Sequence, residues 1–236
     1  MSGAEFALVA VTITLAAGLQ SSIGFGLGLF AAPVIALVDP TLLPGAVVIL
    51  GTSVALLVAV RERASIDFRG AGWAMVGRLP GTAVGAALVA TLPTRGLSLA
   101  LAASVLAGVG LSIAGWRPVP RRRAVVAAGL ASGVMGTATA IGGPPMALVW
   151  QGSSGPRMRG TMSAYFIAGS VFSLVALLAV GALEARTVTI AVALLPALVL
   201  GFVLSRLVRP WLDANRLRTA ALAVSAAGAV LVVVAG

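Results

Sequence analysis

Residues 124–156 read AVVAAGLASGVMGTATAIGGPPMALVWQGSSGP, without one charged side chain. A helix needs ~20 apolar residues to cross the hydrocarbon core of a bilayer. This run is too long for one simple span, and its glycines and paired prolines are poor helix material. It must hide a break, expected at 137–145. Residues 6–38 form a second uncharged run of the same build. There Gln20-Ser21-Ser22-Ile23-Gly24-Phe25-Gly26-Leu27-Gly28 interrupts the apolar pattern and Pro33 follows, so a break is expected at 21–28.

Further uncharged runs cover 40–60, 79–94, 96–116, 160–183, 187–205 and 219–236. The 236-residue chain is 60% hydrophobic and 9% charged, with mean hydropathy +1.11. A soluble domain of this size could not cover its surface with so few charges. The short alternating segments of a β-barrel do not occur. The expected fold class is an all-α polytopic membrane protein of the bacterial cytoplasmic membrane. A helix at 4–20 and a short helix at 29–38 flank the first break, and spans follow at 44–60, 69–91 and 96–115. A helix at 124–136 and a short helix ending at 152 flank the second break, and spans follow at 160–182, 187–205 and 215–235. A broken or re-entrant helix pair plus three transmembrane spans thus occurs twice, dividing the chain into repeats at 1–118 and 119–236.

Short matches support the repeat. Ala16-Ala17-Gly18-Leu19 recurs as Ala127-Ala128-Gly129-Leu130, and Ser21 answers to Ser132. One residue of slip later, Gly24 pairs with Gly136 and Pro33 with Pro145. Leu79-Pro80 then matches Leu195-Pro196, and Gly85 matches Gly201. Internal repeats of this kind are common in secondary transporters.

The net charge is +10, and every basic residue is an arginine. In a soluble protein that balance would suggest nucleic acid; here the arginines sit between apolar spans, where they set orientation, and no nucleic acid is expected. All but Arg78, Arg95 and Arg186 fall in or beside four loops, near 61–69, 116–123, 153–159 and 206–218. These loops are expected at the cytoplasmic face. The second broken pair lies between two of them, so it must leave and return on one side. By the repeat, the first pair does the same from the other side. The halves then have opposite orientation, with both termini outside. The N-terminus lacks the basic region of a signal peptide, so its first apolar segment is expected to stay.

The breaks are the candidate solute site. Non-helical backbone survives at membrane depth only where it is buried in protein or lines a wet cavity. Free N–H groups at the start of a half-helix favour an anion. Close packing through small residues is the competing reading. The hydroxyl and amide side chains of Gln20, Ser21, Ser22, Thr137 and Thr139 favour the solute reading. Arg78 is the one arginine well inside a span, where a charge is a functional hypothesis by default. A guanidinium suits a sulfonate or carboxylate; its alternative is to snorkel to the interface. Gln151 is a further candidate, while Trp150 and Tyr165 are more typical of the membrane interface.

Ala17-Gly18-Leu19-Gln20, followed by Ile23-Gly24-Phe25-Gly26 and Pro33, resembles the first-half motif of the TauE/SafE sulfite-exporter family of permeases. Gly142-Gly143-Pro144-Pro145, followed by Arg159-Gly160-Thr161, resembles its second-half motif. The likeness runs through nearly the whole chain, in the family's order. Thr137-Ala138-Thr139 stands where more glycine is usual in that family. The resemblance implies transport of small anions such as sulfite or organosulfonates. It carries over Gly24, Gly26, Pro33, Gly142, Gly143 and Pro144 as the core of the pathway, beside Phe25.

The chain has no cysteine and no histidine, and its six acids, Glu5, Asp39, Glu62, Asp67, Glu184 and Asp213, all fall at or near span ends. No cofactor or metal is expected, nor the paired acid and base of an intramembrane enzyme. No mid-membrane proton relay is in place, so flux is expected to follow gradients or the solute's own charge. The implied partners are a small anionic solute and the lipid bilayer; a homo-oligomer is compatible with the sequence, as is a non-transporting membrane scaffold.

Overall fold

In the computed structural model, residues 1–113, 119–208, 223, 226–231 and 234 are described; among them the chain is helical, with no strand. Helix α1 (Gly3–Ile23) starts on a capping box in which Ser2 and Glu5 satisfy each other's backbone N–H. It ends at Gly24, whose φ of 96° is open to glycine at little cost. Helix α2 (Leu27–Val38) begins after Gly26, at φ 120°. In the second half, α6 (Arg122–Thr139) ends at Ala140, a left-handed residue with φ 62°, and α7 (Gly143–Trp150) follows Gly142.

Each break is therefore three residues, 24–26 and 140–142, shorter than expected at 21–28 and 137–145. Hydroxyls near the breaks fold back onto the preceding turn and stay helical. Ser22 Oγ donates to the Gly18 carbonyl at 2.8 Å, and Thr139 Oγ1 to the Met135 carbonyl at 2.7 Å. Gly24 and Ala140 hold the same left-handed place at the ends of α1 and α6. Helix α6 runs one turn past Gly136, through Thr137-Ala138-Thr139.

The remaining helices are α3 (Gly45–Arg61), α4 (Phe68–Thr91), α5 (Thr94–Ile113), α8 (Gly155–Ala179), α9 (Ala185–Ala193) and α10 (Leu195–Val208). Among the described residues, α1, α4, most of α5, and α8 are long and apolar enough to span a membrane. The span expected at 187–205 is made of α9 and α10, which together are apolar enough to span and meet at 41° beside Leu194. Pro196 has no N–H to give to the preceding turn, and its ring crowds the carbonyl four residues back. Large apolar side chains such as Val11, Leu15, Val175 and Leu178 face outward, as a lipid surrounding requires.

Two glycine seams hold the helices together. Along α4 and α6 the backbones touch: a Cβ on Gly77 would overlap the Val126 carbonyl oxygen, and one on Gly129 that of Ala74. Along α1 and α10, Gly201 lies against the Thr14 carbonyl, and Thr14 Oγ1 reaches the Ala197 carbonyl at 3.1 Å. Small residues give such close approach in lipid, where the hydrophobic effect between helices is weak.

The ends are tied by charge. Arg159 donates twice to one Glu62 oxygen, at 3.0 and 2.8 Å, and Arg157 pairs with Asp67 at 2.8 Å. Arg122 stacks over Trp73, and Arg61 and Arg206 over Phe202. These contacts gather the loops near 61–69, 121–123, 153–159 and the end of α10 at one end of the bundle. At the other end Arg186 pairs with Asp39 at 2.6 Å. Arg117, Arg209, Asp213, Arg216, Arg218 and most of the expected span 215–235 lie outside the described residues.

Candidate solute site at the crossed breaks

The two breaks cross. The Phe25 ring lies against Gly143, where a Cβ would come within 3.0 Å of it, and Gly28 lies flat on the Ala140 carbonyl. Beside the crossing is a cavity of about 50 Å³, room for a few waters at roughly 10–15 Å³ each. The first break contributes Gln20, Phe25, Gly26, Gly28 and Leu29 to its wall, and the second Gly136 and Ala140 through Pro144. Helix α3 adds Val47, Val48 and Gly51, α8 adds Phe166 and Ser170, and α4 adds Arg78.

Each break is strapped by a polar side chain from the helix before it. Gln20 Oε1 accepts the Leu27 N–H at 3.2 Å, and its Nε2 donates to the Gly51 carbonyl at 3.3 Å. Ser132 Oγ donates to the Gly142 carbonyl at 2.5 Å. Helices α2 and α7 both begin at the cavity. The first turn of a helix has N–H groups without intrahelical partners, here those of Gly28, Leu29 and Gly143 at the cavity wall. Both helix dipoles thus present their positive ends to the same space.

Arg78 supplies the full charge. It is 3% exposed and lies in the seam between α6 and α8, not at the interface to which a snorkelling arginine would reach. Nη1 donates to Ser132 Oγ at 3.3 Å, Nη2 to Ser173 Oγ at 3.4 Å, and the guanidinium stacks over Tyr165 at 4.9 Å. Its side chain crosses Gly169, where a Cβ would collide with it. Its Nε has no hydrogen-bond partner. Among the described residues no carboxylate lies within ion-pair distance of it. A buried guanidinium without a counter-charge is expensive.

Of the residues singled out in the sequence, Gln20, Phe25, Gly26, Arg78, Gly142, Gly143 and Pro144 line the cavity. Thr137 stands behind it, its Oγ1 2.8 Å from the Ser173 Oγ that holds Arg78. Ser22 and Thr139 are bonded to their own helices. Ser21 is buried with an unpaired Oγ, and its carbonyl accepts from Arg61 at 2.5 Å. Gly24 packs on the backbone of Arg159, Pro33 on Gly228, and Pro144 on Gly108. Gln151 bonds the Leu148 carbonyl at the far end of α7, away from the cavity. The sequence reading did not single out Gly51, Phe166, Ser170 or the Arg78 partners Ser132 and Ser173. Hydroxyls at apolar helix positions beside the one buried arginine were the available signal.

The described acids, Glu5, Asp39, Glu62, Asp67 and Glu184, keep to the helix ends. The Gly70 N–H and the Arg157 guanidinium hold the Asp67 carboxyl below its usual range. At Asp39 burial pushes the carboxyl up, but bonds from Arg186 and Thr41 outweigh it, and the net shift is downward.

The fold and its cavity define a multi-pass helical membrane protein whose two broken helices cross beside a buried cation. A family description, sulfite exporter TauE/SafE, matches residues 9–232. The chain belongs to the TauE/SafE sulfite exporter family, a family of multi-pass membrane transporters. No curated protein and no solved structure matches it.

Proposed function

We propose that the protein carries a small oxyanion, such as sulfite, an organosulfonate or a related carboxylate, outward across the cytoplasmic membrane through the cavity at the crossed breaks. The observation that carries this reading is Arg78, a buried guanidinium lining a small cavity, with no carboxylate beside it among the described residues. An anion in the cavity would supply the missing counter-charge, and the first-turn N–H groups of α2 and α7 would meet its other oxygens. A scaffold would have no use for that arrangement, and an intramembrane enzyme would need a base, which none of the described lining residues supplies. With no acid among the described residues that line the cavity, the flux follows the solute's gradient and the membrane potential acting on its charge.

We further infer that the halves 1–118 and 119–236 are oppositely oriented repeats. Supporting this, α6 packs on α4 as α1 packs on α10, and Pro144 meets α5 as Pro33 meets the helical segment 226–231. In this arrangement each half's broken pair is clasped by later spans of the other half, with the cavity beside the crossing.

Proteoliposomes loaded with labelled sulfite, small sulfonates, small carboxylates or a labelled cation test the proposal. Efflux of at least one anion, with none of the cation, is the expected result. Tight vesicles that release none of the anions under either sign of membrane potential would overturn it.

A further inference from the structure

We infer that the outer face of the α4–α6 seam is a binding site for one phospholipid with an anionic headgroup. A groove of about 400 Å³ runs along this face, floored by Gly77 and Ala127 and walled by Val76, Pro80, Val126 and Leu130. It exists because the glycine contact of Gly77 with Val126 draws the two backbones together where neither helix carries a large side chain. From Trp73 to Pro80 it descends seven residues, roughly 10 Å at 1.5 Å per residue. That is about a third of the ~30 Å hydrocarbon core, so the groove takes the upper part of one acyl chain.

Its mouth is cationic. Arg122 and Arg123 line it, both exposed, and Arg122 is held over the Trp73 ring at 4.5 Å. Among the described residues neither has an ion-pair partner. Their place at the start of α6 works against helix stability, since the positive end of the dipole disfavours cations. The Trp73 ring offsets part of that cost for Arg122, no described carboxylate offsets the rest, and a phosphate at the mouth would. A tryptophan beside them marks headgroup depth. Basic pockets between transmembrane helices, next to an apolar furrow, are the recognisable form of anionic lipid sites. Trp73, Gly77 and Pro80 share α4 with Arg78, so the lipid braces the outer side of the helix whose inner side faces the cavity.

The test uses the full chain in nanodiscs of one part phosphatidylglycerol to nine parts phosphatidylcholine, with lipids retained on release counted by native mass spectrometry. The wild type should keep one phosphatidylglycerol above the bulk ratio. The R122Q/R123Q double variant should hold it roughly 10- to 30-fold more weakly, from about 1 kcal/mol per arginine near the surface. R122K/R123K, which keeps both charges and guards against a folding defect, should retain it. Ala127→Trp, which fills the groove but keeps the arginines, should lose it. Arg63→Gln, at the same end but outside the groove, should have no effect. Retention at the bulk ratio by the wild type, or equal losses for Arg63→Gln and the double variant, would overturn the site in favour of general surface attraction.

Discussion

The α4–α6 seam and the α1–α10 seam are built alike and charged differently. Both bring backbones into contact through glycines, and both carry a Leu-Pro step, Leu79-Pro80 in one and Leu195-Pro196 in the other. The residue before that step is Arg78 in the first seam and Leu194 in the second. Leu194 is fully buried among apolar neighbours. Facing Arg78, Ser132 bonds both the guanidinium and its own break; its sequence counterpart Ser21 is buried with an unpaired hydroxyl. The helix packing is satisfied without a charge in one seam, so packing does not explain the arginine in the other. What differs is the cavity, which Arg78 lines and Leu194 does not.

The largest test of this comparison is all-or-none. Arg122 and Glu184 are exposed at opposite ends of the bundle. In oriented cells a cysteine at Glu184 should react with an impermeant thiol reagent added outside, and one at Arg122 should not. The reverse pattern would invert the assignment of the arginine-rich end, and labelling of both would break it. Next comes Arg78→Gln, which should cut anion flux at least ~100-fold by removing two or more charge-assisted contacts at about 1.5–3 kcal/mol each. Leu194→Met should leave flux within about twofold. Equal losses in the two variants would mean that both seams act only as packing.

A smaller effect is expected at the arginine-rich end. Glu62→Gln strands Arg159, which is 5% exposed, and should lower stability in detergent by about 2–3 kcal/mol. It should leave measurable transport, since Glu62 is not at the cavity; complete loss of flux in a folded protein would give this acid a role in coupling. The smallest contrast is between two glycines. Gly28→Ala would press a methyl into the Ala140 carbonyl and part the crossed breaks, costing about 1–3 kcal/mol of thermal stability. Gly51→Ala meets nothing within 4 Å and should melt like the wild type while narrowing the cavity it lines. Equal melting temperatures for the two variants would show that the breaks do not bear on each other.

Much of this was legible in the residues. Uncharged runs too long for one span required breaks, and glycine with proline located both. Of the four arginine-rich loops, those near 61–69 and 153–159 meet through ion pairs at one end, whereas most of 206–218 lies outside the described residues. The extent of each break was not legible, because Ser22 and Thr139 satisfy their hydroxyls on the preceding turn and stay helical. The bend at Leu194 was missed because Pro80 and Pro196 read alike in sequence; α4 runs through its proline, whereas the chain bends beside Pro196. The walls from α3 and α8 were not legible either. Gly51 and Ser170 sit in ordinary apolar spans, and only tertiary packing brings them to the breaks.

On the proposed function, the space between the crossed breaks and Arg78 holds an oxyanion. Selenite, a sulfite analogue with an anomalous scatterer, tests it in a single crystallographic experiment on the full chain. A selenium peak is expected within hydrogen-bond reach of the Arg78 guanidinium, between Gly26–Leu29 and Ala140–Gly143. An empty cavity in crystals that carry selenite elsewhere on the protein would contradict it.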